Sequence, residues 1–176
     1  ILWLSRLDSE KRPGLLIEIA AMLAEAAPGV TIEAHGAASL GHLDPAMFEA
    51  SPNFTWHGPF ATMAEVRPQE HDLFLYTSSY DGIPVVLLEM AMAGLPIVAP
   101  DVGAIGEVVR DGETGVLLPM TGDDRLDAAR YVEAIMRLLD DPAARRAMRE
   151  AAWALVARQH GQPAHAAGVR RIFESG

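Results

Sequence analysis

The stretch that decides the fold is residues 73–100, LFLYTSSYDGIPVVLLEMAMAGLPIVAP. It opens with the short apolar run 73–76, whose β-favouring residues predict a buried strand. Pro84 has a fixed φ and no N–H, which suits the first turn of a helix, and residues 85–93 continue that helix. The apolar run 96–99 then predicts a second buried strand. This stretch is therefore a βαβ unit.

The same alternation extends to both sides of this unit. Four further short apolar runs predict strands, at residues 1–4, 30–34, 53–58 and 116–119, and residues 15–23 predict a helix between the first two. Apolar positions at helical spacing after Asp123 predict helices to the end of the chain, including 143–159 and 164–173. The alternation predicts one α/β domain: a doubly wound, Rossmann-like parallel sheet of about six strands within 1–119, followed by a helical tail, 120–176.

Composition excludes several classes of function. The chain has 176 residues, of which 50% are hydrophobic, and it contains no cysteine, so disulfides and thiolate metal sites are ruled out. Its formal net charge of −10 argues against nucleic acid as a partner. The most apolar span, 82–100, contains Glu89, which would cost about 2.5–3.5 kcal/mol in a membrane, so no transmembrane segment is expected. We expect a cytoplasmic protein, and its first residue, Ile1 within an apolar run, suggests a piece of a longer chain.

Two carboxylates lie in the βαβ unit, Asp81 in the turn before the helix and Glu89 within it. One interpretation is that Glu89 faces solvent on an amphipathic helix. The other uses the geometry of open parallel sheets, in which ligands bind at the carboxyl ends of strands and helix N-termini favour anions. Asp81 and Glu89 would then accept hydrogen bonds from ligand hydroxyls beside a bound phosphate.

Cationic residues follow the first strand. Arg6, Lys11 and Arg12 lie in the loop 5–14, which leads to the helix at 15–23. Two or three cations at the carboxyl end of a strand, before a helix N-terminus, are suited to binding a diphosphate. The alternative is that they are solvated loop residues.

These residues resemble a known family. The run 78–98 is similar to the signature of the retaining glycosyltransferases of family 4, which have two Rossmann-like domains in the GT-B arrangement. The acidic pair of that family follows the pattern E-x7-E, and Asp81 here replaces the first Glu with a side chain one methylene shorter. Arg6 and Lys11 match the family pattern R-L-x-x-x-K, although Arg12 stands where the family usually has Gly.

The resemblance implies that this chain is the donor-binding half of a retaining glycosyltransferase that uses a nucleoside-diphosphate sugar. The partner that it lacks is the amino-terminal domain, which holds the acceptor; no metal or other cofactor is expected. Arg6, Lys11 and Asp81 are the implied catalytic residues, with the two cations neutralising the leaving diphosphate and Asp81 contacting the sugar. Glu89 is implied to accept hydrogen bonds from the ribose.

The resemblance also implies further residues that contact the substrate. Besides Glu89 they are Gly36, Gly58, Ser78, Ile83, Pro84, Val85 and Gly103. The three glycines correspond to places where the backbone approaches the nucleotide or the sugar. A terminal helix that crosses to the other domain is also implied, with Trp153 or Phe173 as candidate contacts.

Other classes of α/β domain fit the sequence less well. A non-catalytic regulatory or receiver-like domain would need acidic residues for Mg²⁺ at the strand ends, whereas the first strand ends at Arg6. A dehydrogenase would need G-x-G-x-x-G after a strand, which is absent. Gly36 to Gly41 has the spacing of a phosphate loop, but His42-Leu43 replaces Lys and Ser/Thr. The six histidines lack HExxH-type spacing, so no metal site is expected, and His57 is predicted to pack in the core.

Overall fold

The computed structural model describes residues 1–38, 45–48 and 51–160, and its centre is a six-stranded parallel sheet. The strands are β1 (Leu2–Leu4), β2 (Ile32–His35), β3 (Phe54–Gly58), β4 (Phe74–Leu75), β5 (Ile97–Pro100) and β6 (Gly115–Leu118). Their order across the sheet is β3-β2-β1-β4-β5-β6. The chain thus winds outward in one direction from β1 and in the other from β4, which confirms the predicted doubly wound fold.

Helices cover both faces of the sheet. They are α1 (Pro13–Ala26), α2 (Met63–Val66), α3 (Val85–Ala93), α4 (Asp124–Asp140) and α5 (Pro142–His160). The pair α1 and α4 packs on one face and the pair α3 and α5 on the other. The two helices predicted as a tail therefore complete the two helical layers. In the described ranges, no helix has the length and apolar character that a membrane span requires.

The alternation of side chains along β1 divides the core in two. Trp3 points into the cluster with α1 and α4, while Leu2 and Leu4 point into the cluster with α3 and α5. All three side chains are almost completely buried. Burial of an apolar side chain of this size contributes about 1.5–3 kcal/mol to the free energy of folding. A run of consecutive apolar residues gains this on both faces only as a central strand of the sheet.

The start of α1 differs from the prediction, whereas α3 begins at Val85 as predicted, with Pro84 just before its first turn. Helix α1 begins at Pro13, two residues earlier than expected, because proline at the first helical position has no N–H that needs a partner. Pro84 has φ −67° and ψ 130° and so is the extended residue before α3, which begins at Val85. The predicted helix 164–173, the candidate contact Phe173, and residues 41–43 of the rejected phosphate loop lie outside the described residues.

Candidate functional site

A cleft of about 420 Å³ opens at the carboxyl ends of β1, β2 and β4. This position is the topological switch point of the sheet, where strands adjacent in space lead in opposite directions along the chain. The lining includes seven of the residues predicted from the sequence: Arg6, Lys11, Gly36, Asp81, Pro84, Val85 and Glu89. The fold therefore brings segments from three separate parts of the sequence to one surface.

Lys11 and Asp81 form the centre of this cleft. Lys11 Nζ donates hydrogen bonds to Asp81 Oδ2 at 2.8 Å, Ser78 Oγ at 3.3 Å and the Tyr76 hydroxyl at 3.4 Å. The Tyr76 hydroxyl donates to the same Asp81 oxygen. The Lys11 side chain is only 13% exposed, so its charge is partly desolvated and its pairing with Asp81 is stronger than that of a surface ion pair.

These contacts fix the charge states of the acidic partner and the phenol. Burial alone would raise the pKa of Asp81, but the hydrogen bonds from Lys11 and Tyr76 outweigh it and hold that pKa below its ordinary value. Burial, together with the hydrogen bond to Asp81, raises the pKa of Tyr76 well above its ordinary value. Asp81 is therefore a carboxylate and Tyr76 a neutral hydrogen-bond donor at physiological pH.

Buried polar contacts clamp the loop of Lys11 to the end of β4. Thr77 Oγ1 donates to the Lys11 carbonyl oxygen at 2.7 Å and accepts from Trp3 Nε1 at 3.0 Å. The Ser79 amide donates to the Glu10 carbonyl oxygen at 2.7 Å. Because these bonds join the two loops directly, the positions of Lys11 and Asp81 depend on each other.

The cations after β1 separate into two groups. Arg6 lines the cleft with a side chain that is 70% exposed and lies 3.4 Å from the Asp8 carboxylate. Arg12 points away from the cleft, and its Nη2 lies 2.6 Å from both Asp124 Oδ1 and Asp127 Oδ2 of α4. The prediction that a third cation could reach a diphosphate is therefore wrong for Arg12, because the carboxylates of Asp124 and Asp127 hold its guanidinium elsewhere.

Arg12 has a structural role that the sequence did not indicate. Its backbone is left-handed, with φ 50° and ψ 60°, a conformation that favours the glycine usual at this position in the resembling family. Burial would raise the pKa of Asp127, yet hydrogen bonds from Thr121 and Arg12 hold it below its ordinary value. Asp127 is fully buried, so this ion pair anchors the end of the Lys11 loop to α4.

Two of the predicted glycines permit close approaches of the backbone. A Cβ on Gly36, whose φ is 150°, would lie 1.7 Å from the Ser5 carbonyl oxygen. A Cβ on Gly103, whose φ is 56°, would lie 1.8 Å from the Asp81 carbonyl oxygen. Gly36 lines the cleft. Gly103 is not part of the cleft lining but packs against the backbone of Asp81, which is.

Four predicted site residues lie outside the cleft lining. They are Gly58, Ser78, Ile83 and Gly103. Ser78 is fully buried, and its Oγ donates to the Tyr80 carbonyl oxygen at 2.9 Å while accepting from Lys11. Gly58 accepts a hydrogen bond from the Gly36 amide at 2.9 Å, and Ile83 packs against the core beneath α3. All four therefore lie near residues of the lining without contributing to it.

The structure confirms that Glu89 is exposed, whereas its contact with ligand hydroxyls stays a prediction. Glu89 is exposed on α3, and it also lines the cleft, one helical turn beyond Pro84 and Val85. Sequence reasoning missed Tyr76, which it treated only as an apolar strand residue. A tyrosine at the carboxyl end of a buried strand needs a partner for its hydroxyl, and that requirement is the signal that could have identified it.

Sequence comparison gives a family for most of the chain. The model described as glycosyl transferases group 1 matches residues 1–141. The α-maltose-1-phosphate synthase of Mycobacterium tuberculosis is 37% identical over 97 residues, covering 49% of this chain and 25% of that protein. The D-inositol 3-phosphate glycosyltransferase of Thermomonospora curvata is 29% identical over 161 residues, covering 82% of this chain and 36% of that protein. The chain thus spans only about a quarter to a third of these curated relatives.

Solved structures share the fold across nearly the whole chain. Anabaena HepE, in complex with UDP, has a TM-score of 0.82 at 22% identity, covering 99% of this chain and 48% of that one. The carboxyl-terminal domain of the group 1 protein LpcC from Francisella tularensis has a TM-score of 0.78 at 19% identity. The match covers 92% of this chain and 86% of that one. At 19–22% sequence identity these matches show a shared fold. That fold is the one of carboxyl-terminal domains of GT-B proteins.

Proposed function

Since this chain belongs to the group 1 glycosyl transferases, we propose that it is the donor-binding domain of a retaining enzyme of family 4 that uses a nucleoside-diphosphate sugar. The observation that carries the proposal is the arrangement of two cations, Arg6 and Lys11, and two acids, Asp81 and Glu89, around one cleft at the switch point of the sheet. A ligand with both anionic phosphates and hydroxyl groups complements this combination of charges. The neighbour HepE, which was solved with UDP, supports a nucleotide ligand.

Arg6 and Lys11 are the groups that would bind the diphosphate. When the bond between the sugar and the diphosphate breaks, negative charge increases on the leaving phosphate oxygen. Cations already fixed beside that oxygen stabilise the charge without having to reorganise. Lys11 is held in place by Asp81 and Tyr76, so it meets this requirement, and the proposed transfer needs no metal ion.

Asp81 has room for one contact with the sugar while it holds Lys11. Its Oδ2 already accepts from Lys11 and Tyr76, and its Oδ1 accepts from the Gly82 amide at 3.0 Å. A carboxylate oxygen can accept two hydrogen bonds, so one position remains on Oδ1. We assign that position to a hydroxyl of the transferred sugar, and the exposed Glu89 carboxylate to the ribose hydroxyls.

The complete reaction would require another domain. The cleft is open on the side facing away from the sheet, and the matched relatives are three to four times as long as the region they share with this chain. We propose that an amino-terminal domain covers the cleft, supplies the acceptor site and excludes water from the reacting sugar.

A ligand screen tests the proposal. Isothermal titration calorimetry of the purified chain with UDP, GDP and ADP, and with the glucose conjugate of each, is expected to give saturable binding for one base. The affinity is expected to be unchanged by EDTA. If none of the six ligands binds while circular dichroism shows a folded chain, the proposed function is wrong.

A further inference from the structure

A second polar cluster, formed around Glu33, His35 and His57, lies on the face of the sheet that carries α2. It is next to the cleft, but none of these three residues lines it. Glu33 and His35 alternate on β2 and so point to the same face, where His57 of β3 joins them. One donor atom from each of these three residues lies within 4.8 Å of the others. His71, just before β4, lies beside this group, with its Nε2 3.5 Å from Glu33 Oε2.

Two imidazole nitrogens in this cluster are buried without a hydrogen-bond partner. His35 is 8% exposed and the His71 side chain 7% exposed, and the Nε2 atom of each has no hydrogen-bond partner among the residues that the structure describes. His71 Nδ1 lies 3.2 Å from the Arg67 carbonyl oxygen. A carbonyl oxygen only accepts, so Nδ1 carries the proton and donates it. In neutral His71 the Nε2 lone pair then faces the Glu33 carboxylate, and two acceptors in contact require a cation between them.

We propose that Glu33, His35, His57 and His71 form a binding site for a divalent transition metal ion of the Zn²⁺ class. Three imidazoles and one carboxylate are a donor set that suits Zn²⁺ and disfavours Mg²⁺ or Ca²⁺, which prefer oxygen ligands. His71 also shows the second contact typical of metal-binding histidines, an Nδ1–H bond to a backbone carbonyl.

Two distances from the Glu33 carboxylate are close to those expected in a tetrahedral metal site. Bonds of about 2.0–2.1 Å place the donor atoms of such a site about 3.4 Å apart. Glu33 Oε2 is already 3.3 Å from His57 Nε2 and 3.5 Å from His71 Nε2. His35 stacks on His57 with ring centroids 4.5 Å apart, and one of its ring nitrogens lies within 4.8 Å of a ligand atom of Glu33 and of His57. The side chains of Glu33 and His57 are about 40% exposed, which leaves an entry path.

The position of the site implies a structural role. His35 directly precedes Gly36, and His57 directly precedes Gly58; the Gly36 amide donates to the Gly58 carbonyl oxygen next to the cleft. An ion bound here would join β2, β3 and the segment before β4 beneath these two glycine turns. It would stabilise the floor of the cleft without contacting the sugar donor or any reacting atom, so this inference is independent of the proposed function.

Metal titration of the tag-free, EDTA-treated chain tests the site. We expect one equivalent of Zn²⁺ to bind and to raise the melting temperature, and Co²⁺ to give the visible absorption of a tetrahedral complex. His57→Asn and His71→Asn are each expected to weaken Zn²⁺ binding at least tenfold, because both remove a ligand. His57 is chosen because it is partly exposed, so that its loss leaves the core intact.

Glu65→Gln is the matched control, since Glu65 is an exposed acid whose carboxylate contacts only its own turn. It should leave Zn²⁺ affinity unchanged. Binding that is absent in the original chain, or that persists unchanged in both histidine variants, would overturn the proposal.

Discussion

Lys11 Nζ lies 2.8 Å from Asp81 Oδ2, although 70 positions separate the two residues in the sequence. Lys11 follows β1 and Asp81 follows β4, and these two strands are neighbours at the switch point of the sheet. The pair is mostly shielded from solvent, so each charge determines the position and the charge state of the other. Substitution of either residue therefore changes the properties of both.

The first prediction concerns the diphosphate. Arg6→Ala combined with Lys11→Ala should weaken nucleoside-diphosphate binding more than tenfold, about 1.4 kcal/mol or more, because it removes both cations of the described cleft lining. Arg125→Ala with Arg137→Ala is the matched control, since it removes two exposed cations from α4, outside the cleft lining. Equal affinities for the two double variants in calorimetry would exclude Arg6 and Lys11 from the site.

The second prediction separates the two acids. Glu89→Gln should weaken binding of the nucleoside diphosphate itself, since its proposed partner is the ribose. Asp81→Asn should spare the nucleoside diphosphate, because Lys11 loses its competing counter-ion, and should weaken only the full sugar nucleotide. Glu113→Gln, on an exposed loop away from the cleft, serves as the control. If calorimetric titrations show that each cleft variant weakens the affinity for the nucleoside diphosphate and for the sugar nucleotide to the same extent, the proposed division of roles is wrong.

The third prediction concerns the Gly36 turn. Gly36→Ala places a Cβ against the Ser5 carbonyl oxygen, which belongs to the backbone and can move only if β1 moves. We expect a loss in the free energy of unfolding that clearly exceeds the roughly 1 kcal/mol of an unfavourable φ alone. Gly112→Ala measures that conformational cost, because its φ is 72° and open space surrounds its Cβ position. Similar urea midpoints for both variants would contradict the prediction.

The fourth prediction uses the buried pair of Arg12 and Asp127. The pKa of folded Asp127 lies below its ordinary value, so the unfolded chain binds the proton more readily. The stabilisation is therefore complete above about pH 4, the ordinary pKa of Asp, and decreases as the pH falls toward the folded pKa. Asp127→Asn should cost about 3–5 kcal/mol at pH 7, because Arg12 loses a buried partner.

Urea unfolding at a series of pH values measures this effect. Below pH 4, the Asp127→Asn variant should lose less stability than the original chain, since the residue that titrates is gone. Asp140→Asn provides the comparison, because Asp140 is exposed at the end of the same helix. Parallel stability curves for Asp127→Asn and the original chain would show that Asp127 is not the source of the acid sensitivity.

The fifth prediction concerns the chain as a whole. The 176-residue chain should bind the sugar nucleotide weakly and show no sugar transfer, because one domain supplies only one wall of the proposed active site. Addition of the amino-terminal domain of a matching enzyme should restore turnover. Released nucleoside diphosphate, measured with a panel of acceptors, is the readout. Substantial turnover by this chain alone would contradict the two-domain interpretation.

The sequence by itself determined the architecture. The apolar runs 1–4, 73–76 and 96–99 suit strands that are buried on both faces, and each overlaps an observed strand of the central sheet. The glycine and proline positions around residues 73–100 set the limits of α3 within one residue. Membership of the group 1 glycosyl transferases, expected from the run 78–98, was confirmed. These properties are local, because hydrophobic periodicity and turn chemistry depend on neighbours along the chain.

Only the tertiary structure decided which polar side chains meet. Arg12 and Lys11 are adjacent in sequence, yet one is held by Asp127 of α4 and the other by Asp81 in the turn before α3. His35, His57 and His71 have no ligand-like spacing, yet the neighbouring strands β2 and β3 bring His35 and His57 together beside Glu33, which His71 also approaches. The order of strands and the packing of helices bring such residues together, and that order results from the burial of the whole core. No local pattern specifies it.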